Sequence, residues 1–268
     1  MTGSMNARCV GFVEIGPKWH GVTRFGRLLE RAARSTTCTT VVRRLGSGAL
    51  EPVVAPSPRP AVWYSQFTDH LLGRTPEQSV LAMAQLRGQL APSRLVVTMH
   101  DLPGAASTPA RRSAYRRVAT AASAVVVCSE HERTLLRSCG FDGPVVVIPH
   151  FVEARPATAI EPGPSSRVAT VAVLGFLYPG KGHMAVLEAC ARAAADVHVL
   201  ALGAPSPGHA DLAEQLLAAG RRLDVGCTVT GWLSEHALDG RLATADVPVT
   251  AHEALSASSS VATWIAAG

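Results

Sequence analysis

The sequence predicts an α/β protein of two units, each a mostly parallel sheet wound with helices. Three observations predict it. Short β-branched apolar runs alternate with longer amphipathic stretches along nearly the whole chain, the pattern of βαβ crossovers. Some runs are apolar at every position, as in Ala124-Val125-Val126-Val127, which suits strands buried on both faces. The alternation breaks once, over 149–166, in a stretch rich in Pro, Ala, Gly and Ser. That stretch reads as a linker between a unit at 1–155 and a second at 156–268.

In order, residues 10–14 read as a strand, 16–21 as a loop, and 22–33 as a helix from its apolar spacing. Strands are expected over 38–42 and 61–64. Pro76 opens a helix over 77–90, because its missing N–H costs nothing in a first helical turn. Then come a strand over 95–99, a helix over 110–122, a strand over 124–128, a helix over 130–138 and a strand over 145–148. After the linker, strands over 168–174, 197–202, 227–229 and 247–250 alternate with helices over 183–194, 210–221 and 234–243. A Ser-rich loop leads into a last helix over 258–268.

Composition narrows the function classes. Hydrophobic residues make up 47% of the 268 and charged residues 17%, which marks a packed globular chain. The net charge of +5 suits phosphate-bearing ligands or anionic lipid surfaces without fixing either. No RRM, zinc-finger or basic-zipper pattern occurs, so nucleic acid is not an expected partner. The six cysteines form no C-x-x-C pair, so neither a zinc site nor a redox motif is expected, and no metal is assigned. The opening MTGSMNARCVGF has no signal-peptide core, and no apolar run reaches the ~18–20 residues of a membrane span. The expected setting is cytoplasmic.

In doubly wound sheets, ligands bind outside the carboxyl ends of the strands, so the loops after the strands are the candidates. Gly175-Phe176-Leu177-Tyr178-Pro179-Gly180-Lys181-Gly182 follows a strand and opens a helix. Its glycines allow close backbone approach, the helix start offers free N–H groups, and Lys181 adds a charge. It nearly fits G-x-x-x-x-G-K-[ST], but Gly182 stands where a hydroxyl would hold magnesium, against a P-loop hydrolase. The alternative is a glycine turn with a solvated lysine. The loop Gly16-Pro17-Lys18-Trp19-His20-Gly21 stands in the same position after the first strand, and reads equally as a phosphate or substrate loop or as a plain turn. His100, at a strand's carboxyl end, is placed to hold a diphosphate oxygen or orient an acceptor hydroxyl, or else to bond a neighbouring loop. Asp101 beside it is an orienting partner or a cap. Glu253 follows the last strand and is placed to accept from sugar hydroxyls. Ser256, Ser258, Ser259 and Ser260 sit at a helix start, where capping and anion binding are both open. Ser129-Glu130-His131 reads as a cap. Arg111, Arg112, Arg116 and Arg117 with Tyr115 read first as a solvated helix face, and second as a contact for a membrane's inner surface or an anionic acceptor.

Together these segments resemble the family 4 glycosyltransferases of the two-Rossmann-domain, GT-B architecture. The run from Val171 to Gly182 is similar to that family's strand and G-x-x-x-x-K-G loop. Leu200-Ala201-Leu202-Gly203 is similar to its next strand, Val229-Thr230-Gly231-Trp232-Leu233 to its f-x-G-x-l segment, and Ala245-Asp246-Val247 to its aDv lead. In the first half, Thr98 to Pro103, Val125 to Ser129 and Val147 to His150 are similar too. The resemblance covers nearly the whole chain. It implies two Rossmann-like domains facing across a cleft, and retaining transfer of a sugar from a nucleotide-sugar donor to a glycan, lipid or small-molecule acceptor. No cofactor is implied, the nucleotide-sugar being the donor substrate. By the same resemblance Lys181 with Gly180 contacts the diphosphate, His100 sits beside the phosphates or the transferred sugar, and Glu253 reaches sugar hydroxyls. Loop 16–21, bounded by Gly16 and Gly21, closes over donor and acceptor, and Thr230, Gly231 and Trp232 lie by the base. Two family positions differ: Phe176 stands where an arginine is usual, and Val261 falls eight residues after Glu253, where a second glutamate is usual. Counted back from Gly268, that glutamate's position falls on Thr263 instead. Gly268 resembles the glycine before the family's next strand, so the carboxyl-terminal domain is expected to be incomplete. The rival expectations are a non-catalytic relic of such an enzyme, a sugar-nucleotide epimerase of the same architecture and a P-loop nucleotide hydrolase.

Overall fold

A computed structural model describes residues 9–35, 40–45, 59–153, 168–193, 196–253 and 258–268. Cys38, most of the expected linker and Ser256 lie outside the described residues. The chain divides into two units, Met1–His150 and Phe151–Gly268.

The first unit holds one six-stranded, wholly parallel sheet. Its strands are β1 (Val10–Ile15), β2 (Thr40–Leu45), β3 (Val62–Phe67), β4 (Arg94–Met99), β5 (Ala124–Val127) and β6 (Val145–Val147), in the order β2-β1-β3-β4-β5-β6. Helices α1 (Gly21–Arg34), α2 (Asp69–Leu72), α3 (Pro76–Leu90), α4 (Pro109–Ala121) and α5 (Glu130–Ser138) make the connections. Two of them start by one rule. Thr75 and Thr108 are N-caps whose hydroxyls accept from Gln78 N–H and Arg111 N–H, each followed by a proline in the first turn, where the missing N–H costs nothing. Trp63, Phe67, Leu86, Leu90, Leu95, Met99 and Tyr115 are fully buried at the centre of this core. Each such aliphatic side chain contributes roughly 1.5–3 kcal/mol. Gly11 makes room for the indole, since a Cβ there would stand 2.3 Å from the Trp63 ring.

The second unit holds a four-stranded parallel sheet of β7 (Ala169–Leu174), β8 (Val197–Leu202), β9 (Gly226–Val229) and β10 (Val247–Val249), in the order β10-β7-β8-β9. Helices α6 (His183–Arg192), α7 (Asp211–Leu223), α8 (Glu235–Leu242) and α9 (Ser259–Ala267) complete it. The period-two alternation of strand side chains splits β8 between two cores. Val199 and Ala201 pack with Leu187 and Leu216 on one face, Leu200 and Leu202 with Leu174 and Leu242 on the other. Helices thus cover both faces of a parallel sheet. Asp246 fastens β10 to β7: its carboxylate accepts from Thr170 N–H at 2.7 Å and its own N–H donates to Thr170 C=O at 3.0 Å.

The strand orders position the sites. In the first unit β1 lies between β2 and β3; in the second, β7 lies between β8 and β10. Successive connections therefore leave in opposite directions at β1/β3 and β7/β10. The crevice at such a switch point, outside the carboxyl ends, is where doubly wound sheets bind ligands. Loop 16–20 stands at the first, and the loops carrying Lys181 and Glu253 at the second.

Candidate functional site

In the second unit the loops after β7 and β10 lock together through glycine. Gly180 and Gly182 have φ of 87° and 90°, a region that disfavours side chains. A Cβ on Gly182 would stand 2.1 Å from the carbonyl oxygen of Ala251, so only glycine lets the loops meet. Glu253 N–H donates to Gly180 C=O at 2.9 Å.

This close packing sends the Lys181 side chain inward. The residue is 5% exposed, and its ammonium reaches back over Gly175, where a Cβ would approach Nζ to 3.0 Å. Nζ lies 2.8 Å from Nε2 of His252 and donates to Ser260 Oγ at 3.0 Å. Ser260 Oγ is 2.7 Å from Ser258 Oγ. Among the described residues no carboxylate pairs with this ammonium. Burial without a counter-charge pushes the Lys181 pKa down to about 8. His183, the first residue of α6, is 7% exposed with an unpartnered Nε2; burial, then the neighbouring Lys181 and His252, push it down to about 4. His252 Nδ1 is likewise buried without a partner. The N-cap of α6 is Gly182, which offers no side-chain cap, so the helix start keeps its free N–H groups. A buried cation, two unpartnered imidazole nitrogens and a helix N-terminus together form an anion cradle.

Of the sequence-assigned residues, Gly180, Lys181, Glu253 and Ser258 come together here. Ser258 is the N-cap of α9 but makes no capping bond; its hydroxyl faces Ser260 instead. Ser259 is the first residue of α9, and its carbonyl accepts from Thr263 Oγ1 at 2.9 Å. Gly231 follows β9 with φ of 71° and open space where a Cβ would sit. Beside it Trp232 is 64% exposed, and Thr230 Oγ1 accepts from Gly203 N–H at 3.1 Å.

In the first unit, Gly16 has φ of 91°, and a Cβ there would stand 2.6 Å from Leu71, so glycine lets the loop after β1 sit against α2. His20 ends that loop and caps α1, its Nδ1 accepting from Val22 N–H at 3.2 Å; Gly21 is the first helical residue. His100 is 6% exposed. Its Nε2 lies 2.7 Å from Gln66 Oε1, and its ring stands edge-on to Phe25 at 5.1 Å, with His150 on the same phenyl at 4.7 Å. Burial pushes His100 down to about 4; Asp101 opposes that shift, while His150 and His20 add to it. A neutral imidazole donating to Gln66 from Nε2 keeps Nδ1 as its acceptor.

The solvated arginine face holds only in part. Arg111 makes a two-pronged contact with the buried Asp69 carboxylate, at 2.8 and 3.1 Å, and donates to Asp101 C=O at 2.8 Å. Tyr115 is fully buried and donates to His100 C=O at 2.8 Å. These two belong to the frame that carries His100, while Arg116 and Arg117 are exposed. Sequence reasoning passed over His183, Gln66 and Asp69, and it gave His252 no role of its own beside Glu253; Gln66 and Asp69 find their partners 34 and 42 residues along the chain. Among the described residues no group of His, Cys, Asp or Glu has the arrangement to hold a metal, and no helix is long and apolar enough to cross a membrane.

Two parallel, doubly wound sheets, each with a glycine-bearing loop at its switch point, have the GT-B fold. Solved structures agree. The chain is similar to Alr3699/HepE of Anabaena in complex with UDP and glucose, with a TM-score of 0.68 at 14% identity over 95% of this chain and 77% of that one. It is similar to a glycosyltransferase from Rickettsia africae ESF-5, at 0.61 and 15% identity over 92% and 73%. The lipopolysaccharide outer core galactosyltransferase WaaB in its apo form gives 0.55 and 10% identity over 91% and 74%. The model of Glycosyltransferase Family 4 matches residues 69–155. Among curated proteins none matches.

Proposed function

We propose that the chain transfers a sugar from a nucleotide-sugar donor, of the UDP-sugar kind found with Alr3699/HepE, to a hydroxyl acceptor with retention at the anomeric carbon. One observation carries the reading: a buried ammonium, Lys181, whose described hydrogen-bond partners are an imidazole and a hydroxyl, set at a helix N-terminus. A buried cation without a counter-ion is costly, and a bound diphosphate removes that cost. In the reaction the bond from the anomeric carbon to the diphosphate oxygen breaks, and the oxygen keeps the electron pair. The acceptor oxygen bonds to that carbon and passes its proton to the departing diphosphate oxygen. Charge grows on the leaving diphosphate, where Lys181, Gly180 and the α6 amides stabilise it. Glu253 takes sugar hydroxyls, Gly231 borders the base, and Ser258 and Ser259 add to the anion-binding helix start. His100 and the loop from Gly16 to Gly21 are the first unit's proposed share, acting on the transferred group and its acceptor. A cytoplasmic setting is part of the proposal.

Calorimetry with UDP-, GDP- and ADP-sugars on the native chain and Lys181→Ala tests it. Micromolar binding of one donor, weakened about 10- to 150-fold in the variant, is the expected result, the loss expected of a charged hydrogen-bonding partner. A folded native chain that binds none of them refutes the proposal. Binding without transfer to any acceptor or to water assigns the chain to the non-catalytic relics, in keeping with Phe176 and Val261 at positions where charged residues are usual.

A further inference from the structure

The 2.8 Å contact between Lys181 Nζ and His252 Nε2 restricts how many protons this site can hold. Two nitrogens that close share one proton: either an ammonium donates to a neutral imidazole, or an imidazolium donates to an amine. The empty pair therefore carries one positive charge and titrates as a unit. With the ammonium donating, the other ring nitrogen of His252, Nδ1, carries a hydrogen, and it is buried without a partner.

The surroundings are defined on each side. His183 faces the pair from α6, its Nε2 also unpartnered. Ser258 and Ser260 face it from the start of α9. Tyr178 presents its ring 6.0 Å from Nζ, and Glu253 lies beside Gly180 on the adjoining loop, where a Cβ on Gly180 would be 3.6 Å from Oε2. Resting on the donor reading given above, we propose that His252 both positions Lys181 and becomes a charged contact of the ligand, so that binding of a nucleotide diphosphate-sugar draws one proton onto the pair. The ligand's two negative charges offset what keeps a second proton off. The ammonium turns toward phosphate, Nε2 is freed and takes a proton from the buffer, and Nδ1–H donates to a phosphate oxygen. The occupied pair carries two charges where the empty pair carried one.

The test is calorimetry with UDP-glucose in buffers of different ionisation enthalpy. Its diphosphate is esterified at both ends, so the ligand itself takes up no proton near neutrality. At pH 7 Lys181, with a pKa pushed down to about 8, is already about nine-tenths protonated. Uptake there reports an imidazole. We expect about 0.5–1 proton taken up at pH 7, and an affinity that falls up to about tenfold per pH unit as pH rises. In His252→Asn, which can donate but not titrate, uptake is expected to fall below about 0.2 and the pH slope to flatten. In His183→Asn the affinity is expected to drop, one imidazole of the cradle being gone, while the uptake per ligand bound persists. Native binding with no proton uptake overturns the proposal and leaves the donor reading intact, as does uptake that survives His252→Asn or vanishes in His183→Asn. Absence of binding at every pH by UDP-glucose and by the GDP- and ADP-sugars of the same panel refutes the donor reading as well. The native measurement decides even if a variant fails to fold.

Discussion

Asp69 shows how one buried carboxylate can hold the frame around a candidate site residue, here His100, through Arg111 and Tyr115. Burial alone would raise its pKa, but the hydrogen bonds and charge of Arg111 outweigh burial and hold it below the usual carboxylate range. A carboxyl with a depressed folded pKa contributes its full stability above the unfolded value near pH 4. That contribution disappears as pH falls through the folded value. Asp69→Asn leaves Arg111 half-buried and unpaired, and we expect a loss of about 2–3 kcal/mol at pH 7, below that of a fully buried pair because Arg111 retains some solvent. Urea unfolding of both proteins at pH 7 and near pH 3 checks it: the gap should narrow in acid, and a constant gap refutes the linkage. Nothing in the sequence pointed to this pair, because 42 residues separate its members. Lys181 was legible for the opposite reason. Its glycines, its strand and its helix are all contiguous, whereas its partner His252 stands 71 residues away.

Helices were legible where their start signals are local. Pro76 marks α3, and the Ser129 reading is correct in a sharper form: Ser129 Oγ accepts from Glu132 N–H at 3.1 Å, while the fully buried Glu132 carboxylate accepts from Cys128 N–H at 2.7 Å. The reach is reciprocal, as in a capping box, but the glutamate returns to the residue before the cap. This ties the end of β5 to the start of α5. Ser129→Ala should cost about 1 kcal/mol, read as a lowered denaturant midpoint with an unchanged slope. A loss under a few tenths would show that the helix start is held by Glu132 alone. Two elements departed from expectation. Four-residue α2 is too short to produce a helical period, so it went unseen along with Asp69. At α9 the serine run suggested capping, yet Ser258 turns its hydroxyl to Ser260, because a buried ammonium nearby draws both hydroxyls into one chain of hydrogen bonds. Strand ends shifted by up to three residues, as at β2 and β3, which run on to Leu45 and Phe67, because hydrophobicity marks a strand's buried middle better than its last paired residue.

The alternation of strands and helices predicts parallel sheets without predicting their order, and the order is what creates the sites. Only when β10 is seen on the far side of β7 from β8 do the loops of Lys181 and His252 become neighbours. Amide hydrogen exchange of the whole chain with and without UDP-glucose tests this arrangement. If the switch point of the second sheet is the donor site, slowing should centre on residues 175–186, 250–253 and 258–262, at least tenfold for the amides of the first turn of α6. The N–H groups at a helix start are the ones that anion binding occupies. Slowing over 16–25 and around His100 would add the first unit's loop and imidazole to donor handling. Its absence there would restrict those residues to the acceptor. Slowing confined to the first unit would remove Lys181 from the diphosphate and with it the assignment of the second sheet as the nucleotide-binding unit.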